Sequence, residues 1–406
     1  MSDYITDGKG RNTMVKKLQP KLRFRGFTDA WEPRRLKSLH RQPLLVSPVP
    51  SQTYISWSVP AFSTGEPEIV KGSEIESVKQ SVNSSDVLLC RINPRINRVW
   101  VVEARKDTDL PMIASTEWVV FTGHNSDSYF LSALFTSSRF RNMLLSEVAG
   151  VTGSQKRFQI ASVLERQEYF PTQIEQARIG LLFAKVDNLI AAEKRKLDLL
   201  QKKKTALLRQ IFERKLRFKG YDNPWNRHKL GSITDSYSGG TPPVSDSSYY
   251  GGDIPFIRSA EIANESTELF ITQSGLAASS AKRVKKGDVL YALYGANSGN
   301  ASFAKLDGAI NQAVLSIRAE KGFSNSFIMY WLQRSKNAII GTFLQGGQGN
   351  LSGSIVKKLS IQTPRIDEQE RIGLFFIKID SLITAETRKL DLLIDKKKAL
   401  LQKMFV

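Results

Sequence analysis

An α+β fold is expected, with two strand-rich α/β modules of one architecture and two long coiled-coil-like helices. Three observations point to it. The segment RKLDLLQKKKTALLRQIF at 195–212 returns as RKLDLLIDKKKALLQKMF at 388–405. KLRFRGFTDAWEPRRLKSL at 21–39 returns as KLRFKGYDNPWNRHKLGSI at 215–233, with Trp31 and Trp225 in register. Between the repeats, about 40–165 and 234–360, strand-type runs dominate. Two echoes at nearly one offset define a single unit used twice: a KLRF-x-G lead, a module, then a helix.

The helical repeat extends back to Pro171 and Pro364 without a gap, and more than half of the aligned positions are identical. A proline at each start fits the first helical turn, where its missing N–H costs little. Glu175 in one copy and Asp367, Glu368 and Glu370 in the other favour the same end through the helix dipole. Apolar residues recur at Leu182, Val186, Leu189, Leu197, Leu200, Leu207 and Ile211, then at Phe375, Ile379, Leu382, Leu390, Leu393, Leu400 and Met404. That spacing is a coiled-coil-like seam with a slip near Glu193 and Glu386. A pair of amphipathic core helices is the alternative. The length favours a rod, since about 40 residues span roughly 60 Å.

In the modules, EWVVF (117–121), DVLYALYG (288–295) and AVLSI (313–317) predict strands. SDVLL (85–89) matches GDVLY (287–291), each heading a buried-strand run. GGTPP (239–243), YYGGD (249–253) and QGGQGNLSG (345–353) read as turns and loops. Residues 325–342 have helical spacing, with 128–146 as their counterpart. The stretch TGSQKRF (152–158) sits where GGQGNLS (346–352) sits.

Composition narrows the function. With 406 residues, 41% hydrophobic and 24% charged, the chain suits two or more globular domains. No apolar run reaches the length of a membrane span. The polar start MSDYITDGKGRNTMVKK lacks a signal-peptide core, and the single cysteine, Cys90, fits a reducing compartment, so a cytoplasmic location is expected. Lys and Arg number 59 against 39 Asp and Glu, a net charge of +20 spread along the chain. That excess favours a polyanion, with nucleic acid ahead of a membrane surface, for which no basic amphipathic anchor is seen.

Catalytic and metal sites are not expected. His40, His124 and His228 lack metal-ligand spacing, and His124 in TGHNSDS reads as an ordinary surface residue. Cys90 lies in a strand pattern and reads as a buried structural thiol. No phosphate-cradling glycine loop is present. INPRI (92–96) is only faintly like the Asn-Pro-Pro-aromatic loop of adenine methyltransferases.

Binding chemistry remains. CRINPRINR offers Arg91, Asn93, Arg95 and Arg98, and TGSQKRFQ offers Ser154, Gln155, Lys156 and Arg157. The second module offers Arg258, then Tyr294, Asn297 and Ser298 in YGANSG, and Gln345, Gln348 and Asn350 in QGGQGN. Guanidinium and amide groups suit bidentate contacts with guanine and adenine edges. Plain solvated loops are the alternative, which the corresponding placement in both modules disfavours. KRVKK (282–286) suits phosphate contact or plain surface.

With these residues in view, the chain resembles the specificity (S) subunit of type I restriction-modification systems. KLRFRGF and KLRFKGY, each followed by tryptophan, carry the resemblance. So do GGTPP, GDIPFIRSAEI, GDVLYALYGANSG, GAINQAV, GGQGNLSGSIVKKL and the two repeated helices. It covers nearly everything from Lys21 onward. The first module departs from it, with SDVLLCRINPR in place of GDVLYALYG.

The resemblance implies two target-recognition domains, 21–170 and 215–363, in pseudo-two-fold arrangement, with residues 1–20 a flexible tail. Helices 171–214 and 364–406 would pack antiparallel, as a spacer and a docking platform for methyltransferase (M) subunits, two in number. Each domain would read one half of a split double-stranded DNA target. The M subunits would supply S-adenosylmethionine and adenine methylation, and restriction (R) subunits ATP- and magnesium-dependent cleavage. No cofactor would be bound by this chain. A coiled-coil scaffold with two protein-binding modules is the alternative function.

Overall fold

Each buried-strand run becomes the centre of a small antiparallel sheet. Val87–Cys90 and Val289–Ala292 are buried at every residue, which is why both read as unbroken apolar runs. Val87–Cys90 lies between Trp118–Phe121 and Val99–Val101. Val289–Ala292 lies between Val314–Ala319 and Ala301–Phe303. The structure is a computed structural model and describes residues 4–6, 12–14, 19–104, 108–149, 156–343 and 350–405. With strand-rich modules and two long helices it is an α+β fold, as expected.

The chain divides into two compact units, residues 1–194 with 389–406, and residues 195–388. Both divisions fall inside the long helices, Gln173–Phe212 and Ile366–Met404. The first unit holds a second sheet in which Thr53–Trp57 runs parallel to Met112–Ala114, flanked by Glu68–Lys71 and Lys79–Ser81. In the other unit Tyr250–Ile257 runs parallel to Gly308–Ile310, flanked by Phe270–Ile271 and Lys282–Val284. The modules thus share this strand pairing despite different sequences, while the edges differ: Leu45–Val46 joins Lys79–Ser81 in the first unit, and Thr234–Ser238 joins Val314–Ala319 in the second.

Local details depart from expectation. YYGGD is not a loop: Tyr250–Ile257 runs through it, with a register shift between Tyr250 and Ile254 and Gly251 at φ +76°. Tyr250 and Ile254 both pair with Ile271, so residues 251–253 are extra on this strand, and glycine accommodates such a bulge most easily. The segment 128–146 is two helices, Ser128–Thr136 and Ser138–Ser146, because Ser137 turns extended and caps the second through Phe140 N–H. Its counterpart Asn325–Phe343 is one helix. Pro171 and Pro364 precede the helices by two residues, and their carbonyls accept from the Gln176 and Gln369 side-chain amides at 2.9 and 2.8 Å.

The repeated E-Q-x-R-I-G sequence explains how each module grips its helix. Glu175 is fully buried and receives Arg23 of the KLRF lead, Nε and Nη2 each at 2.7 Å. Glu368 receives Arg217 in the same way, at 3.0 and 2.7 Å. Two of the acids expected in the first helical turn, Glu175 and Glu368, therefore lie there and also clamp the lead segment. Gln176 Oε1 accepts from Asp127 N–H, and Gln369 Oε1 from Ser324 N–H. Gly180 and Gly373 leave room for this approach. A Cβ there would fall 2.0 Å from Asp127 Oδ1 and 1.8 Å from Ser326 Oγ.

Within each unit the two helical stretches run antiparallel. In the first, Asp187 meets Lys397 at 2.5 Å and Glu193 meets Lys389. In the second, Lys196 meets Glu386 and Lys204 meets Asp380, both at 2.6 Å. Leu197 is buried, and Leu182, Val186, Leu200, Leu207, Phe375, Ile379, Leu390, Leu393 and Leu400 are partly buried. Leu189 and Leu382 correct the expected seam, being 53% and 55% exposed. At the slip the inward position passes to the next residue, Ile190, which is buried, and Ile383, which is partly so.

Glu168, 4% exposed on strand Gln167–Phe170, offers a test of the first unit's packing. Burial raises its pKa, with Arg139 and Arg166 opposing. A carboxyl with a raised folded pKa favours the fold at acid pH, and that contribution is lost as pH rises above its unfolded value. Glu168→Gln is therefore expected to raise the melting temperature at pH 7.5 and to leave it unchanged near pH 4. Thermal melts across that range check it.

Candidate nucleic-acid interface

The central strand of each unit ends in the same tight turn. In the first, Asn93 takes φ +47° and Ile96 N–H reaches Asn93 O at 2.9 Å, while Cys90 N–H reaches Arg98 O at 3.0 Å. In the second, Gly295 takes φ +75°, Ser298 N–H reaches Gly295 O at 3.0 Å, and Ala292 N–H reaches Asn300 O at 2.9 Å. Asn93 thus corresponds to Gly295, Arg95 to Asn297 and Arg98 to Asn300. Asparagine tolerates the left-handed conformation better than most side chains, so the turn survives without glycine.

A second segment is stitched to each turn. Ile92 bridges Arg157 and Tyr294 bridges Asn350. Phe158 N–H reaches Arg91 O at 3.3 Å, and Leu351 N–H reaches Leu293 O at 3.0 Å. In the first unit Asn93 N–H also reaches Lys156 O at 2.8 Å. The two stretches read separately in each module are therefore adjacent in space. Ser154, Gln155, Gln345 and Gln348 lie outside the described residues.

Electrostatics divides the first unit's cations. Glu117 accepts a forked pair of hydrogen bonds from Arg157, the nearest at 2.8 Å, and faces Arg91 Nε at 3.4 Å. The Arg157 hydrogen bonds hold the Glu117 carboxyl below its usual pKa against the effect of burial. Arg98 donates to Ile92 O at 3.4 Å. Arg95 is exposed and, among the described residues, has no ion pair. Its own carbonyl receives Arg141 Nη2 at 2.5 Å, which pins the turn from below. Asn93, Pro94, Arg95, Leu145, Val148 and Lys156 line an open cleft of about 330 Å³.

The second unit presents amides where the first presents cations. Asn297 Oδ1 accepts from Asn300 Nδ2 at 3.3 Å, and Asn350 is exposed. Ser298, 3% exposed, faces inward, and its hydroxyl donates to Leu293 O and Gly295 O. Arg258 is held by two acids, Glu261 at 3.0 Å through Nε and Nη2, and Glu268 at 2.6 Å. Burial would raise the Glu261 pKa, but the Arg258 bonds and two backbone N–H groups bring it down to about 2. Arg258 borders an open cleft with Asn264, Thr267 and Asn311. After the equivalent strand of the first unit, Ser58 donates to Glu68 at 2.8 Å.

Sequence reasoning missed the acids Glu117, Glu261 and Glu268. Only Glu261 left a signal, standing three residues after Arg258. His124 is half-buried rather than a plain surface residue, its Nδ1 on Ser126 O at 3.0 Å, and burial lowers its pKa. Cys90 is buried, which raises its thiol pKa. KRVKK contributes strand Lys282–Val284 and then a turn. Among the described residues no His, Cys, Asp and Glu grouping could hold a metal, and no helix is long and apolar enough to cross a membrane.

Residues 222–393 match the family of the type I restriction modification DNA specificity domain. The second half of the chain is thus similar to such a domain, and the resemblance to type I specificity subunits read in the sequence is borne out. Over 177 residues the chain is 26% identical to the type I restriction enzyme MjaIX specificity subunit of Methanocaldococcus jannaschii. That alignment takes in 42% of this chain and spans 41% of that protein's length. The fold is shared with the S subunit of a type I restriction-modification system from M. genitalium. Here the TM-score is 0.65 at 13% identity, over 96% of this chain and 99% of that one. It is shared too with a chain from a structure describing complex assembly and conformational transition of the type I R-M system. That match has a TM-score of 0.54 at 20% identity, over 92% and 97% of the two chains.

Proposed function

We propose that the chain is the non-catalytic DNA-recognition subunit of a type I restriction-modification complex, reading a bipartite duplex target with one half-site per module. The observation that carries this reading is the pinned turn common to both modules. One frame displays guanidinium groups in the first unit and amides in the second, as two readers of different half-sites require. The net charge of +20 supplies the sequence-independent attraction to phosphate.

Partner docking falls to the outer faces of the long helices. Leu181, Leu189 and Leu392 in the first unit, and Leu374, Leu382 and Leu199 in the second, are more than half exposed at matching repeat positions. Apolar side chains left bare in this way mark contact surfaces. Two M subunits would bind there and act on adenine with S-adenosylmethionine. R subunits would add cleavage driven by ATP and magnesium, in the cytoplasm.

Duplex binding by the full chain is expected to weaken by roughly a thousandfold between about 50 and about 200 mM salt. Exchanging residues 234–360 for the corresponding module of a relative is expected to change one half of the recognised sequence and preserve the other. An unaltered target after that exchange would refute the reading. A methylated-adenine map of cells with and without the gene reports both half-sites.

A further inference from the structure

We propose that the apex of the shared turn is the specificity position of each module, with Arg95 reading a guanine in one half-site and Asn297 an adenine in the other. The inference deepens the DNA-recognition reading and rests on it.

The two residues occupy the same place in the same frame. Each lies two positions after the left-handed residue, inside a turn closed by Ile96 N–H on Asn93 O or Ser298 N–H on Gly295 O. The bridges Ile92–Arg157 and Tyr294–Asn350 brace both frames from the same side. Arg141 holds the Arg95 carbonyl, and the Ser298 hydroxyl holds Gly295 O and Leu293 O. Both backbones are fixed, with Arg95 exposed and Asn297 half-buried against Asn300, so little ordering remains for binding to accomplish.

The neighbouring cations do not compete for the role. Arg91 and Arg157 face Glu117, and Arg258 faces Glu261 and Glu268, so these guanidinium groups are already oriented by carboxylates. Arg95 is exposed beside a cleft bordered by Lys156, whose charge suits a flanking phosphate. In the second unit Asn300 Nδ2 fixes the Asn297 amide through Oδ1, leaving Nδ2 and the second Oδ1 lone pair for one base edge. Arginine pairs with guanine O6 and N7, and asparagine with adenine N6 and N7.

The test is selection from a randomised duplex library by the full chain, alongside Arg95→Asn, Asn297→Arg and Asn297→Gln. Wild type is expected to enrich a split sequence with guanine at one position and adenine at a position of the other half. Arg95→Asn should lose the guanine preference by roughly ten- to a hundredfold and leave the other half-site intact. Asn297→Arg should shift its adenine towards guanine. Asn297→Gln, the milder change, should weaken the adenine preference if arginine disturbs the turn. Variants that bind every sequence more weakly but keep the wild-type base profile would make the apex a phosphate contact and overturn the inference alone. No enrichment by wild type would overturn the recognition reading with it.

Discussion

Replacing Arg23 with alanine is expected to destabilise the first unit by about 3–5 kcal/mol, the usual cost of stranding one member of a buried ion pair. Glu175 is fully buried at the start of its helix, and both its oxygens face the Arg23 guanidinium at 2.7 Å. Without that partner the carboxylate has lost its water and gained no substitute beyond the helix N-terminus. Arg23→Lys is expected to recover only part of the loss, because an ammonium cannot form the fork. Removing both charges with Arg23→Met and Glu175→Leu should cost less than Arg23→Ala alone. Hydrogen exchange is the readout, with protection lost around 21–36 and 173–183. Equal stability of Arg23→Ala and the native chain would show that the pair is dispensable. Arg217→Ala should place the same defect at Glu368, in the second unit.

Phe405→Ala is expected to cost the first unit a similar 3–5 kcal/mol, through a cavity rather than a charge. Phe405 is 7% exposed and its ring lies 6.1, 5.7 and 6.0 Å from Trp31, Phe130 and Phe183. The chain's last turn is also tied in by Leu22 N–H on Lys403 O at 2.8 Å. Residues near the C-terminus thus complete a core begun near residue 22. Phe212 has the corresponding place in the second unit, 6.3 Å from Trp225 and 5.1 Å from Phe327. Phe212→Ala should therefore weaken the second unit. Denaturation followed by site-resolved exchange separates the two outcomes. Loss of protection in the second unit from Phe405→Ala would contradict the packing.

Legibility varied with the range of the interaction that decides each feature. The strands at Val87–Cys90 and Val289–Ala292 were readable because burial on every side imposes an apolar run. The long helices were readable because a repeated amphipathic pattern has one economical solution. The break at Ser137 was not, because helical periodicity continues through it and only the extended Ser137 backbone interrupts it. The partners of Arg91, Arg157 and Arg258 were equally hidden. The pairing of Arg157 with Glu117 depends on the segment at 91–92, which pairs with both, and sequence separation gives no measure of that distance.

The sequence by itself determined the duplication, the α+β character, the long helices and the polyanion-seeking charge. These follow from composition and periodicity, which act locally or in sum. Tertiary structure alone decided that Glu175 and Glu368, placed in the first helical turn as expected, also clamp Arg23 and Arg217, and that the slip turns Leu189 and Leu382 outward. It alone showed that Arg95 and Asn297 sit in one backbone turn, although the side chains around them differ. Equivalence of that kind resides in a backbone hydrogen-bond frame, and such a frame can be conserved by side chains with nothing in common.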